Sequence, residues 1–139
     1  MIVVDTNILA YLMIKGERTE QARQLYTQNS AWNVPHLWQH EFLNVLTTLV
    51  KQGGATVDDA LILWRQALAL LAQREQDINL HEALAIATEN GISAYDAQYL
   101  ALAQALHCPL VTEDKRLAHK FPDKALTMQD YLRAKNESE

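Results

Sequence analysis

The chain has 139 residues, of which 49% are apolar and 21% charged, a globular composition long enough for one domain with a real core. A formal charge of −5 argues against a broad, sequence-independent grip on DNA, which needs a basic face. No stretch reaches the length of a membrane span, and no basic segment leads into an apolar signal core at the N-terminus, so the cytoplasm is the default location.

Ile2-Val3-Val4 is short, β-branched and continuously apolar, as a strand buried on both faces is. It ends on Asp5, with Thr6 and Asn7 behind it. A carboxylate in that position is costly unless a helix N-terminus, a cation partner or a metal ion compensates it. A helical pattern follows over about 18–29, and a short strand fits 33–35. A long helix over about 36–52 carries Leu37, Trp38, Phe42, Val45, Leu46, Leu49 and Val50 as a broad apolar face, and Gly53-Gly54 stops it. Thr56 is a good N-cap for a helix over about 57–74, where Leu61, Trp64, Leu68 and Leu71 recur at helical spacing. These two helices read as a hairpin within about 36–74. Asn79 caps a further helix ending at Gly91, a left-handed stop, and Ser93 starts another that runs to about His107. Cys108, the only cysteine, excludes an internal disulfide and leads into a strand over 109–112 as a small apolar residue. A last strand fits 125–128, and the polar residues 133–139 read as a frayed tail. Helix and strand signals alternate, which favours one α/β domain over 1–132 with a mainly parallel sheet.

Four carboxylates occupy suggestive positions: Asp5, Glu41, Asp96 and Asp114. Asp5 and Asp114 lie at or just past the carboxyl ends of predicted strands, the edge of an α/β sheet where ligand crevices form. Asp96 falls in the first turn of a helix. Each of these three also has a capping explanation: Asp5 over the turn that follows it, Ser93-x-x-Asp96 at capping-box spacing, and Asp114 at the start of a short helix through Lys120. Glu41 is harder to assign to a cap. Its neighbours Leu37, Trp38 and Val45 place it along the edge of the apolar stripe, and an inward-facing Glu needs a cation. Converging, the four acids suit a hard divalent ion such as Mg²⁺ or Mn²⁺, which takes oxygen ligands and, as Mg²⁺, keeps several waters. Such sites hydrolyse phosphodiesters by activating water and neutralising charge in the transition state. Between positions 113 and 124, Lys115, Arg116, Lys120 and Lys124 make a locally cationic stretch in an acidic chain.

With these residues together the sequence resembles the PIN domain family, and within it the small VapC-like ribonuclease toxins of toxin–antitoxin modules. The resemblance runs from Met1 to about Leu132 and rests on "DTNIL", "EFLNVL", "AYDAQYLALA" and "PLVTEDKRL" in this order and spacing. It implies the family's three-layer sandwich, a mainly parallel sheet flanked by helices. It also implies that Asp5, Glu41, Asp96 and Asp114 form an acidic Mg²⁺ or Mn²⁺ site, with Asn7 and Thr112 as supporting polar groups. Endonucleolytic RNA cleavage, a homodimer and inhibition by a cognate antitoxin are the expected properties. One departure concerns a second metal: some members have a further acid shortly after the position of Asp114, where this chain has Lys115, Arg116 and Leu117. Lys115 and Arg116 become candidate phosphate contacts instead, or solvated charges on a short helix.

Three other readings compete. His36 and His40 stand one helical turn apart, but the zinc-protease motif needs Glu directly after the first His, where this chain has Leu37. A haloacid-dehalogenase type of phosphotransferase needs an acid two residues after Asp5, where this chain has Asn7. A non-catalytic module that keeps the fold and binds RNA or a protein is the third. Trp38 and Trp64 fit either a partner surface or ordinary core packing.

Overall fold

The computed structural model describes residues 1–137. Five strands run in chain order as β1 (Ile2–Val4), β2 (Trp32–Pro35), β3 (Glu75–Gln76), β4 (Leu110–Val111) and β5 (Ala125–Leu126). They form one sheet of order β3-β2-β1-β4-β5, and every pairing is parallel. β1 is central because its two faces are both apolar. Ile2 and Val4 point into one core and Val3 into the other, the alternation that a pleated strand imposes.

The helices divide between the two faces. On the Ile2/Val4 side lie α1 (Thr6–Met13), α2 (Thr19–Gln28), α3 (Leu37–Lys51), α4 (Val57–Leu71) and α8 (Met128–Glu137). On the Val3 side lie α5 (Leu80–Asn90), α6 (Ala94–Leu106) and α7 (Lys115–Lys120). The result is a three-layer α/β sandwich. Because β1 connects outward to β2 on one side and pairs β4 on the other, the gap between the carboxyl ends of β1 and β4 is the topological switch point of the sheet.

Predicted caps are observed where the chemistry required them. Thr56 and Asp59 form a full capping box on α4, Asn79 caps α5, and Gly91 ends α5 at φ 64°, a conformation that costs glycine nothing. Three elements differ from the sequence reading. The turn after Asp5 is a helix, α1, which starts one residue after β1 and has only Thr6 and Asn7 as polar residues. The predicted helix over 57–74 stops at Leu71, because Glu75 and Gln76 pair with Val34 and Pro35 as a short strand with no apolar signal of its own. The strand expected over 125–128 ends at Leu126 and gives way to α8, which also takes in residues 133–137 of the expected frayed tail, while 138 and 139 lie outside the described residues.

The α8 helix is held from outside its own sequence. Glu113 Oε1 accepts the Met128 backbone N–H at 3.1 Å, and its Oε2 lies 3.2 Å from Arg18 on the segment before α2. The Glu113 side chain is 9% exposed, so the carboxylate both caps α8 and ties it to α2. Replacing Glu113 with Ala should destabilise the fold by about 1–2 kcal/mol, the usual cost of losing a cap. Urea unfolding of the two proteins measures it, and an unchanged midpoint would remove this tie.

Candidate active site

Each acidic residue reaches the switch point by a different local route. Asp5 leaves the end of β1 and caps α1, its Oδ1 accepting the Ile8 N–H at 3.1 Å. Its Oδ2 accepts the hydroxyl of Thr112, the residue just past β4, so β1 and β4 are cross-linked at their carboxyl ends. Thr112 Oγ1 in turn accepts the Asp114 N–H at 3.1 Å, and Asp114 caps α7 by accepting the Leu117 N–H at 3.1 Å. Capping and site membership are therefore compatible for Asp5 and Asp114: the same turn that starts a helix delivers the carboxylate to the sheet edge.

Asp96 behaves differently. Ser93 caps α6 by accepting the Asp96 N–H at 3.0 Å, but the reciprocal bond from the Ser93 N–H to the Asp96 carboxylate, which completes the box on α4, is not made. The Asp96 carboxylate is partly buried, and its bond is to the Ser93 side chain. Burial raises its pKa, and the charges of Asp114 and then Glu41 push the same way against the Ser93 bond.

Glu41 projects from α3 toward the same edge. Its helix is fixed by stacking: Trp38 and Phe42 pack on Trp64 of α4, with ring centroids 5.9 and 6.4 Å apart. Trp38 is buried, so the two tryptophans belong to the core of the hairpin. Trp38 Nε1 also donates to Glu75 Oε1 at 2.5 Å, pinning the first turn of α3 to β3. Glu41 Oε1 accepts the Thr6 hydroxyl at 3.0 Å and the Tyr99 hydroxyl at 2.5 Å.

The four carboxylates share one electrostatic neighbourhood. Burial pushes Asp5 up to about 6 despite the Thr112 and Ile8 bonds, and the charges of Glu41 and Asp96 add to the shift. None of the ion pairs among the described residues involves any of the four. A cleft of about 540 Å³ opens beside them, with Asp96 and Asp114 among its lining and Arg116, His119 and Lys120 supplied by α7. Arg116 lines it, whereas the exposed Lys115 does not. Asn7 is exposed on the first turn of α1, apart from the bonds that join Asp5, Thr112 and Asp114. His36 uses both ring nitrogens elsewhere: Nδ1 meets Glu75 Oε2 at 3.0 Å and Nε2 meets Asp77 Oδ1 at 2.8 Å, so it does not pair with His40 as a ligand.

The PIN domain family model matches residues 2–121. The chain belongs to the PIN domain family. Ribonuclease VapC3 of Pyrobaculum aerophilum is 34% identical over 125 residues, which is 87% of this chain and 95% of that protein. Ribonuclease VapC9 of Mycobacterium tuberculosis is 41% identical over 122 residues, 85% of this chain and 89% of the other. Among solved structures, PAE2754 from Pyrobaculum aerophilum superposes with a TM-score of 0.76 at 23% identity, covering 96% of this chain and 94% of that one. A toxin–antitoxin complex from Klebsiella pneumoniae gives 0.60 at 20% identity, covering 92% and 98%. These structural likenesses concern the fold.

The acidic side chains of this PIN domain suit a hard cation in their donor chemistry: all oxygen, anionic, and in no ion pair among the described residues. Among the described residues, no three His, Cys, Asp or Glu side chains are gathered tightly enough to form a ready-made metal cage. Tyr99, which bonds to Glu41, is a residue that the sequence did not single out: three positions after Asp96 on α6, it reads as an ordinary aromatic of an apolar helix face.

Proposed function

We propose that this PIN domain is a metal-dependent endoribonuclease, the toxin of a toxin–antitoxin pair. Asp5, Glu41, Asp96 and Asp114 hold Mg²⁺ or Mn²⁺, directly or through waters. The observation that carries this reading is Asp96: a partly buried carboxylate, raised in pKa by that burial and then by the charges of Asp114 and Glu41, and in none of the ion pairs among the described residues. Burying like charges together is unfavourable unless a ligand of opposite charge binds there. A divalent ion in this site supplies a Lewis acid that polarises a phosphoryl oxygen and lowers the pKa of water. The protein's own part is positional. Thr112 holds Asp5 and the Asp114 backbone in one frame, and Asn7, exposed on the first turn of α1, supports a carboxylate or a water. Arg116, with Lys115 beside it, meets the phosphates of an RNA backbone lying in the cleft.

Relatives named VapC ribonuclease support the activity, and a neighbour solved as a toxin–antitoxin complex supports an antitoxin partner. Leu43, Val57 and Leu61 are exposed around an apolar groove of about 460 Å³ between α3 and α4, a surface suited to a protein partner or to a second copy in a homodimer. No helix of the described residues is long and apolar enough to cross a membrane, and the proposed place of action is the cytoplasm.

The test is cleavage of a mixed structured-RNA pool by partner-free protein with Mn²⁺, Mg²⁺ or EDTA, beside Asp96→Asn. Cutting that requires the metal and falls at least about 10²-fold in the variant supports the site. Asn keeps the backbone N–H that Ser93 caps, so stability should change little. Wild-type activity in the variant would return Asp96 to a structural role. No cutting and no Mn²⁺ binding by the folded wild type would leave a non-catalytic RNA- or protein-binding module.

A further inference from the structure

Three hydroxyl and carboxylate oxygens meet below the acidic site. Tyr99 Oη lies 2.5 Å from Glu41 Oε1 and 2.7 Å from Thr6 Oγ1, which is itself 3.0 Å from Glu41 Oε1. The three residues come from α6, α3 and α1, separated by 93 positions at the widest pair. Tyr99 is 2% exposed and Thr6 6% exposed, so the contacts are made away from bulk water. Both bonds to Glu41 fall on one oxygen, Oε1.

We infer that Tyr99 is a positioning residue: its hydroxyl, backed by Thr6, locks the Glu41 side chain so that Oε2 is presented to the metal site. The inference rests on the proposed metal-dependent reading and adds to it a residue that makes no contact with metal or RNA. The physical need is plain from Glu41's place on α3. A Glu at the margin of an apolar stripe has three side-chain torsions and a short route to solvent. Fixing it costs rotamer entropy that a weak ligand cannot recover alone. The Tyr99 hydroxyl donates to Glu41 Oε1, and the single Thr6 hydrogen is shared between that oxygen and Tyr99 Oη, so the carboxylate is held in the folded chain before any ion arrives. The same arrangement explains why the residue at 99 is Tyr. Phe would fill the space within the α5–α6 side of the core equally well but would leave Glu41 with Thr6 alone.

Burial and the adjacent Glu41 charge push the Tyr99 phenol far above its ordinary value, so it remains a neutral donor throughout the working pH range. A purely structural account runs the other way, with Glu41 serving merely to satisfy a buried phenol. The two accounts differ in what removing the hydroxyl does. Under the structural account, Tyr99→Phe removes a donor together with its need for an acceptor, and metal affinity stays the same.

The experiment is a double-mutant cycle read by calorimetric Mn²⁺ titration and by single-turnover RNA cleavage, using wild type, Tyr99→Phe, Glu41→Gln and the pair. Tyr99→Phe should weaken Mn²⁺ binding roughly 10-fold or more, the usual effect of removing a group that orients a ligand. At limiting Mn²⁺ the cleavage rate should fall with it, while KM for RNA is unchanged. In the Glu41→Gln background the same change should have no further effect, because the side chain it positions has lost its charge. Equal Mn²⁺ affinity in wild type and Tyr99→Phe would overturn the inference and leave the metal reading intact. So would an equal loss in both backgrounds, which would mark a general effect on the fold. If the folded wild type binds no Mn²⁺, the functional reading fails and this inference with it. Should Tyr99→Phe fail to fold, Thr6→Val in the same cycle tests the lock from its other donor, with the same two outcomes.

Discussion

Asp5→Asn should abolish RNA cleavage, a fall of at least about 10²-fold, and should at the same time make the metal-free protein more stable at neutral pH. Both effects come from one carboxylate. In the fold Asp5 is pushed up to about 6 by burial, against the Thr112 and Ile8 bonds and with the charges of Glu41 and Asp96 adding to the rise. In the unfolded chain it ionises near 3.8. The folded state therefore holds this proton more tightly than the unfolded state does. The stability that follows is fully present below pH of about 4, declines as pH rises, and is lost once pH passes about 6. The difference corresponds to about 2–3 kcal/mol. Asn removes the charge and keeps an amide oxygen for the Ile8 N–H, so the cap on α1 survives. Thermal unfolding in EDTA should show the variant melting several degrees above wild type at pH 7.5, with the gap closing toward pH 3.5. Added Mn²⁺ should raise the wild-type midpoint and not that of the variant, because a ligand stabilises only a fold that binds it. A variant that still cuts RNA would show Asp5 to be a cap and nothing more, and one that melts lower at pH 7.5 would show that the Thr112 bond outweighs the buried charge.

That combination accounts for what could be read in the sequence and what could not. Ile2-Val3-Val4 was legible as the central strand because burial on both faces leaves a continuous apolar run, and the sheet indeed buries it on both. The caps at Thr56, Asn79 and Ser93 were legible because a polar side chain facing its own backbone is a local interaction. α1 was hidden: a helix that enters directly from a buried strand and buries Thr6, Ile8 and Leu9 shows no clear polar margin. β3 was hidden because a two-residue edge strand of Glu and Gln is made by its partner, β2, rather than by its own composition. Among the site residues, the acids stood out because carboxylates at strand ends are costly. Their partners did not. Tyr99 looks like any aromatic on an apolar helix face until α3 and α1 are brought against it. The Thr112–Asp5 bond exists only because β1 and β4 are neighbours in the sheet, 107 positions apart in the chain. Charge is visible locally, whereas the groups that orient it are set by topology.

The acidic neighbourhood also fixes how metal uptake should depend on pH. A carboxylate must lose its proton to ligate an ion, so protons and metal compete for the same oxygens. With Asp5 at about 6, its ionised fraction falls from about nine-tenths at pH 7 to about one-tenth at pH 5. Mn²⁺ affinity should therefore weaken about 10-fold over that interval from Asp5 alone. Asp96, raised by burial and by Asp114 and Glu41, steepens the loss where it too takes up a proton. Calorimetric titration at a series of pH values reads the effect, and the protons released on binding give an independent count, because the heat then depends on the buffer's ionisation enthalpy. RNA cleavage supplies the decisive contrast. If the acid limb reflects competition, its midpoint should move to lower pH as Mn²⁺ is raised, since saturating metal displaces the protons. If the midpoint stays near 6 at every Mn²⁺ concentration, the group that titrates acts outside the metal equilibrium. The raised pKa of Asp5 would then govern the chemistry of the attacking water instead of the binding of the ion.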